Sequence, residues 1–182
     1  MELEVGFGNG VQRFTVPERN LQGVLTPNPV PHALTGEREV RRALSSPIGA
    51  PLLREVIHPG EKIAIITSDI TRPMPTYTVM PALLDELYAG GARPEDITLV
   101  FALGSHRAQT PEEMRHLAGE QAWAQIRCVD SDPADVVHLG VTSAGTPVDI
   151  TRVVAEADRR LSLIPHLRAH ETLRHLVCRL LL

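Results

Sequence analysis

Three polar residues with chemically useful side chains follow an apolar, β-branched run at 62–66. Asp69 can accept hydrogen bonds or hold a cation, Thr71 offers a hydroxyl, and Arg72 can bind a carboxylate or phosphate with two parallel hydrogen bonds. Two prolines stiffen the turn that carries them, so little loop entropy is lost on binding. A structural alternative fits the same residues, with Asp69 capping the next helix and Arg72 in a surface ion pair.

His106 and Arg107 follow a second apolar run, at 97–103. A histidine gains and loses its proton near neutral pH, so His106 is a candidate for acid/base work. An arginine close by can hold a carboxylate, and the combination indicates chemistry on a small hydroxy or keto acid. The chain contains neither a G-x-G-x-x-G fingerprint nor a Walker sequence, so ordinary dinucleotide or P-loop chemistry is not indicated.

Both groups are predicted to lie at one edge of a parallel β-sheet. The runs 62–66 and 97–103 have the apolar, β-branched composition of buried strands. The segment between them is predicted to be a helix with four apolar residues on one face: Met80, Leu83, Leu84 and Leu87. A strand, helix and strand of these lengths form a right-handed crossover, and such sheets bind ligands at the carboxyl ends of their strands.

The remaining patterns complete an α/β fold, namely a mostly parallel sheet with flanking helices and an N-terminal β-hairpin. Alternating residues on either side of a glycine turn at 8–10 predict the hairpin. Thr110 as N-cap, Pro111 as the first helical residue and Glu113 completing a capping box predict a helix that ends near Gly119. Further predicted elements are a short helix at 37–44, a strand at 125–129, a second hairpin at 136–150, a helical turn at 152–158 and a strand at 161–164.

Composition limits the classes of function. The 182 residues suffice for one well-buried domain, whose core must be aliphatic because only 3% of residues are aromatic. A net charge of -4 gives no support for nucleic-acid binding. Cys128 and Cys178 match no metal spacing, and the acidic run at 130–133 is predicted to be a turn rather than a metal site. The first residues lack a signal peptide and no stretch is long enough to span a membrane, so we expect a cytoplasmic protein.

Four segments of the chain resemble the N-terminal domain of the nickel-dependent lactate racemase family. They are 69–75 (DITRPMP), 102–107 (ALGSHR), 145–148 (GTPV) and 156–158 (EAD), in the family's order and spacing over residues 1–163. The resemblance implies an α-hydroxy-acid racemase or epimerase with a nickel-pincer nucleotide. That cofactor takes a hydride from the α-carbon of the substrate and returns it to either face, while histidines carry the hydroxyl proton.

The resemblance also assigns roles to the residues at the predicted edge. Arg72 would hold the carboxylate of a small 2-hydroxy acid, and His106 would be one of two acid/base histidines. Asp69, Thr71, Ser105 and Arg107 would contact the cofactor, with Ser105 standing where the family often has threonine. No residue of this chain is expected to ligate a metal.

Residues 164–182 depart from the family and are treated as a separate, atypical tail. A Phe-Ala-Gly-Phe-Ser-Gly-Gly motif, a cofactor-binding lysine, a nickel-ligating histidine and a C-terminal domain would be expected after Asp158, yet no lysine follows Lys62. The tail is rich in Leu, Arg and His instead, and its codons permit a shifted frame that restores most of the motif, which suggests a frameshift. We therefore expect that the chain neither retains the nucleotide nor catalyses the reaction alone.

The sequence leaves two other interpretations open. The edge with Asp69, Arg72 and His106 could belong to a non-catalytic module that binds phosphate or carboxylate, or the chain could be a fragment without function. Self-association is expected, because a truncated domain exposes its interface and several tail leucines have no evident partner.

Overall fold

A computed structural model describes residues 1–29, 31–72 and 74–163 of the chain. The chain divides into two units, one formed by Met1–Ala33 and the other beginning at Leu34. The predicted tail at 164–182, with its proposed frameshift, lies outside the described residues.

The first unit contains the predicted N-terminal β-hairpin. Strands β1 (Glu2–Phe7) and β2 (Gly10–Thr15) pair in antiparallel fashion, with Glu2 opposite Thr15 and Phe7 opposite Gly10. Gly8 turns the chain with a φ of 56°, a value that glycine tolerates without a steric cost. A 3-10 turn at Glu18–Asn20 and an extended connector follow.

A four-stranded parallel sheet forms the centre of the second unit. Its strands are β3 (Ile63–Ser68), β4 (Ile97–Ala102), β5 (Arg127–Asp130) and β8 (Arg159–Ser162), in the order β5-β4-β3-β8. The two inner strands are almost wholly apolar because both of their faces are covered. The mostly parallel sheet predicted from the sequence is confirmed.

The helices pack around the long helix α3 (Thr76–Ala89), which follows β3. Its four predicted core residues are fully buried: Met80, Leu83, Leu84 and Leu87. The helices that contact α3 are α1 (Glu37–Ser45), α2 (Leu53–Val56), α4 (Pro111–Ala118) and α5 (Glu120–Gln125). Gly91, with a φ of 92°, turns the chain after α3, as expected for a glycine that follows a helix.

A second antiparallel hairpin precedes the last strand. Strands β6 (Val136–Val141) and β7 (Pro147–Thr151) pair with an irregularity between His138 and Gly140, and a short helix α6 (Arg152–Ala155) follows. Both the hairpin and the helical turn were predicted from the sequence.

One element and several boundaries differ from the sequence prediction. Helix α5 was not predicted, and β5 begins at Arg127 rather than 125. Strand β8 begins at Arg159 rather than 161. Arg159 and Arg160 have the composition of a loop, but their backbones pair with β3 in the sheet. The Arg159 guanidinium binds Glu61, and that of Arg160 donates to backbone carbonyls of 154 and 155. Among the described ranges no helix has the length and hydropathy of a membrane span.

Candidate active site

The candidate site lies at the carboxyl edge of the parallel sheet. Strands β3 and β4 are adjacent and in register, with Ser68 opposite Ala102 at their last residues. The loops that leave these two strands, at 69–72 and 103–109, therefore begin side by side. Sequence analysis predicted this edge as the ligand site, and the fold brings the two loops together there.

Asp69 is the buried centre of the site. Its side chain is only 3% exposed, and its carboxylate accepts hydrogen bonds from the Thr71 backbone nitrogen (3.1 Å) and the Thr71 hydroxyl (2.7 Å). His106 Nδ1 lies 2.5 Å from the second oxygen. Asp69 does not cap α3, because that helix begins after Pro75 without a side-chain cap. The structural alternative for Asp69 is therefore wrong.

Opposing effects act on the charge of Asp69. Burial raises the pKa of the Asp69 carboxyl, but hydrogen bonds from Thr71 and His106 lower it and together outweigh the burial. The pKa of Asp69 thus lies below its ordinary value. A carboxylate that is buried yet ionised is suited to hold an imidazole in one orientation and to stabilise its protonated form.

His106 presents one ring nitrogen to Asp69 and keeps the other free of the described residues. Because an ionised Asp69 can only accept, the proton is assigned to Nδ1, which donates to Asp69 Oδ2, with Thr71 Oγ1 3.2 Å away as a second acceptor. The side chain is 42% exposed, so a ligand can reach it. Within the part of the chain that the structure describes, Nε2 has no hydrogen-bond partner. An imidazole held by a carboxylate in this way is chemically capable of general acid/base work.

Arg72 lies on the Asp69 loop with an exposed side chain. Its backbone is held, since Arg72 N donates to Asp69 O at 3.2 Å and Ser68 Oγ donates to Arg72 O at 2.5 Å. No acidic residue among those described pairs with its guanidinium, so the surface ion pair offered as the alternative is not found. The group is available for an anionic ligand.

Ser105 and Arg107 lie on the loop after β4, and their surroundings differ from those of Arg72. Ser105 is exposed in the turn after β4. The Arg107 guanidinium binds both oxygens of Glu113 on α4, at 2.7 and 2.8 Å, and also donates to Ala108 O. Hydrogen bonds from Arg107 and from the Thr110 backbone lower the pKa of Glu113 to about 2. Arg107 is thus engaged within the protein, and the predicted contact with a cofactor stays a prediction.

Gln109 belongs to the site although sequence analysis did not select it. It is 7% exposed, and its side-chain oxygen accepts the Ile70 backbone N–H at 2.9 Å. It therefore joins the loop after β4 to the loop that carries Asp69 and Arg72. A glutamine in a polar loop gives no signal of this, because its burial is decided by tertiary structure.

A set of residues that could hold a metal is not found in the described parts of the chain, where no group of three or more His, Cys, Asp and Glu side chains converges. His138 pairs instead with Asp149 on the second hairpin, and Asp132 caps the backbone of 134 in the turn predicted there. Lys62 precedes β3, at the opposite edge of the sheet, and binds Asp96 at 2.5 Å.

Comparison with known proteins shows which family the chain resembles. Residues 7–170 match the family described as lactate racemase N-terminal domain. The chain is 31% identical over 161 residues to a lactate racemase from Thermoanaerobacterium thermosaccharolyticum, covering 86% of this chain and 38% of that protein. It is 34% identical over 134 residues to a lactate racemase from Lactiplantibacillus plantarum, covering 71% of this chain and 31% of that protein.

Solved structures agree with the sequence comparison. The structure of the lactate racemase apoprotein from T. thermosaccharolyticum matches with a TM-score of 0.74 at 30% identity, over 89% of this chain and 38% of that one. A Thermotoga maritima protein matches with a TM-score of 0.53 at 19% identity, over 69% of this chain and 32% of that one, and it supports the fold alone. This chain spans about a third of the length of the curated racemases it matches. It belongs to the lactate racemase family, within the N-terminal domain.

Proposed function

We propose that this chain forms the substrate-binding and acid/base half of a 2-hydroxy-acid racemase site. The observation that carries the proposal is the contact between Asp69 and His106, which come from separate loops and meet at 2.5 Å, with the exposed Arg72 on the same loop as Asp69. A cation for the carboxylate and a base for the hydroxyl are the two groups that recognition of a 2-hydroxy acid requires.

In this proposal Arg72 binds the substrate carboxylate and His106 takes the hydroxyl proton. The proton moves from the substrate oxygen to His106 Nε2, and Nδ1–H keeps its hydrogen bond to Asp69. The ionised Asp69 stabilises the imidazolium that results, because an opposite charge beside it favours the protonated form. Return of the proton from Nε2 restores the starting state of the ring.

We propose that this chain alone does not retain a nickel-pincer nucleotide. In support, the described residues contain no group of three or more His, Cys, Asp and Glu side chains that could hold a metal, and Lys62 binds Asp96 at the other edge of the sheet. We therefore assign no step of this chain to that group. The hydride chemistry at the α-carbon belongs, in this proposal, to the portion of a racemase that the chain does not span, so the chain alone is expected to be inactive.

Ligand titration followed by NMR tests the proposal. Lactate is compared with propionate, which has the carboxylate without the hydroxyl, and with inorganic phosphate. We expect lactate to bind more tightly than propionate, with the largest shift at His106. We also expect His106→Ala to remove that preference while leaving propionate binding unchanged. Equal affinity for lactate and propionate in the unmodified chain would contradict an acid/base role.

A non-catalytic anion-binding module is the second candidate. The exposed guanidinium of Arg72, which has no acidic partner among the described residues, favours it, because such a group binds phosphate as readily as carboxylate. Phosphate binding that depends on Arg72 but not on His106, with no preference for lactate, would favour this candidate.

A chimera separates the two candidates by activity. The segment of the T. thermosaccharolyticum lactate racemase that follows the matched region is joined to residues 1–163 of this chain, and racemisation of lactate is measured after cofactor loading. If the racemase proposal is right, the chimera racemises lactate and His106→Ala abolishes that activity. If the chain is a binding module, the chimera does not racemise lactate.

A further inference from the structure

Gln109 makes three hydrogen bonds that join the carboxyl ends of three neighbouring strands. Its side-chain oxygen accepts Ile70 N from the loop after β3, as described above. Its side-chain nitrogen donates to Asp130 Oδ1 and its backbone nitrogen donates to Asp130 Oδ2, both at 2.8 Å. Asp130 is the last residue of β5, while Gln109 lies on the loop after β4. One side chain thus spans the edge of the sheet on which the candidate site is built.

Ser131 adds a second connection between the β4 loop and the end of β5. Its hydroxyl accepts the Leu103 backbone N–H at 3.0 Å, and its own backbone nitrogen donates to Phe101 O at 2.8 Å. The loop that carries His106 is therefore fixed to β5 at both of its ends, by Ser131 at its start and by Gln109 at its finish.

We propose that Gln109, held by Asp130, is a positioning residue that sets the distance between Asp69 and His106. The Ile70 N–H that Gln109 accepts belongs to the residue directly after Asp69, and Gln109 follows His106 by three positions. Neither Gln109 nor Asp130 is hydrogen-bonded to the imidazole, so both act through the loops. The relevance to catalysis rests on the proposed function, whereas the positioning itself does not.

The donor and acceptor pattern of this pair allows a test by exchange. Gln109→Glu places a second carboxylate against Asp130 and removes the side-chain donor, so the contact becomes repulsive. Adding Asp130→Asn restores the pattern in reverse. The new carboxylate accepts from Ile70 N and from the new amide NH2, and the amide oxygen accepts from the backbone nitrogen of 109. A purely local loss of packing would not be repaired in this way.

The readout is the tautomer of His106, taken from its 15N chemical shifts in the ligand-free chain. We expect Nδ1–H to predominate in the unmodified chain, to be lost in Q109E and to return in Q109E/D130N. Gln125→Leu is the control, because Gln125 is also hydrogen-bonded, to the Tyr88 hydroxyl, but lies away from the site. An unchanged tautomer in folded Q109E, or a double variant as altered as the single one, would overturn the proposal.

Two further measurements keep the outcomes separate. If Q109E does not fold, Gln109→Met removes the two side-chain hydrogen bonds, keeps the backbone one and adds no like charge. It is expected to shift the tautomer in the same direction, and an unchanged tautomer there also overturns the proposal. Lactate affinity is then measured for the same variants, with an expected loss of about tenfold in Q109E, the effect of one hydrogen bond. If the tautomer returns in Q109E/D130N but no variant binds lactate, the positioning role is supported and only the proposed function is contradicted.

Discussion

The imidazole of His106 contacts the buried carboxylate of Asp69 across 37 positions of sequence, with 2.5 Å between Nδ1 and Oδ2. The contact exists because β3 and β4 are adjacent, parallel and in register, so the loops after them begin at the same level of the sheet. Asp69 is buried and its carboxylate is bound within the protein, whereas His106 is half exposed. A ligand can therefore reach Nε2 of His106, which has no partner among the described residues.

Replacement of Asp69 is expected to change how stability depends on pH. The pKa of Asp69 is lower in the folded chain than its ordinary value of 3.8, so its contribution is present above that value and is lost as the pH falls through the folded-state pKa. We expect Asp69→Asn to reduce the free energy of unfolding at pH 7 by about 1–3 kcal/mol and to flatten its fall in acid. Urea unfolding between pH 7 and pH 3 measures both effects.

Asp149→Asn is the matched control for this prediction. Asp149 also binds a histidine Nδ1, that of His138, but both side chains are exposed, at 44% and 56%. An exposed pair of this kind contributes about 0–1 kcal/mol. Equal losses of stability in the two variants would contradict the special place of Asp69.

The two arginines of the site are expected to differ in their effect on ligand binding. Arg72→Ala should weaken lactate binding about tenfold or more, because it removes a charged hydrogen-bond donor that has no partner among the described residues. Arg107→Ala should have a smaller effect, since its guanidinium is engaged by Glu113. Isothermal titration with lactate measures the difference.

Arg54→Ala serves as the control for these titrations, because Arg54 is an exposed arginine on α2 that lies against Gly90 at the far end of α3, away from the two loops. Its affinity for lactate should equal that of the unmodified chain. A larger loss in Arg107→Ala than in Arg72→Ala would reverse the assignment of the two side chains.

The titration of Glu113 reports on the contact with Arg107. The pKa of Glu113 is lowered from 4.5 to about 2, chiefly by that side chain. The pair therefore stabilises the folded chain above about pH 4.5 and ceases to do so as the pH falls towards 2. We expect Arg107→Ala to raise the Glu113 midpoint, observed through the side-chain 13C signal. In Arg115→Ala, which breaks the neighbouring pair with Glu120, the midpoint of Glu113 should stay in place.

Helix α3 is expected to carry much of the stability that holds the sheet edge in place. Leu84 is fully buried, and Leu84→Ala should lower the free energy of unfolding by about 2–5 kcal/mol, because a cavity forms where the side chain was. Leu139→Ala is the control, since Leu139 is 53% exposed on the second hairpin and its loss should cost far less. Urea unfolding gives both values, and similar losses would contradict the assignment of the core.

Local patterns in the sequence were sufficient for most of the secondary structure. The apolar runs became β3 and β4, and the capping box of Thr110 and Glu113 starts α4 as predicted. Such features depend on residues close in sequence, so they are visible without the fold. The short helix α5 and the start of β8 were missed, because six-residue and four-residue elements with polar side chains lack a clear periodicity.

The sequence alone also determined that Asp69, Arg72 and His106 lie at one edge of a parallel sheet, since strand direction places successive carboxyl ends on the same side. Tertiary structure decided which partners these residues have. It put Asp69 against His106, gave Arg107 to Glu113, and buried Gln109 between Ile70 and Asp130. The physical reason is that a hydrogen bond between two loops forms or fails with a change of a few tenths of an ångström in the distance between its donor and its acceptor. Those distances follow from the packing of the whole sheet.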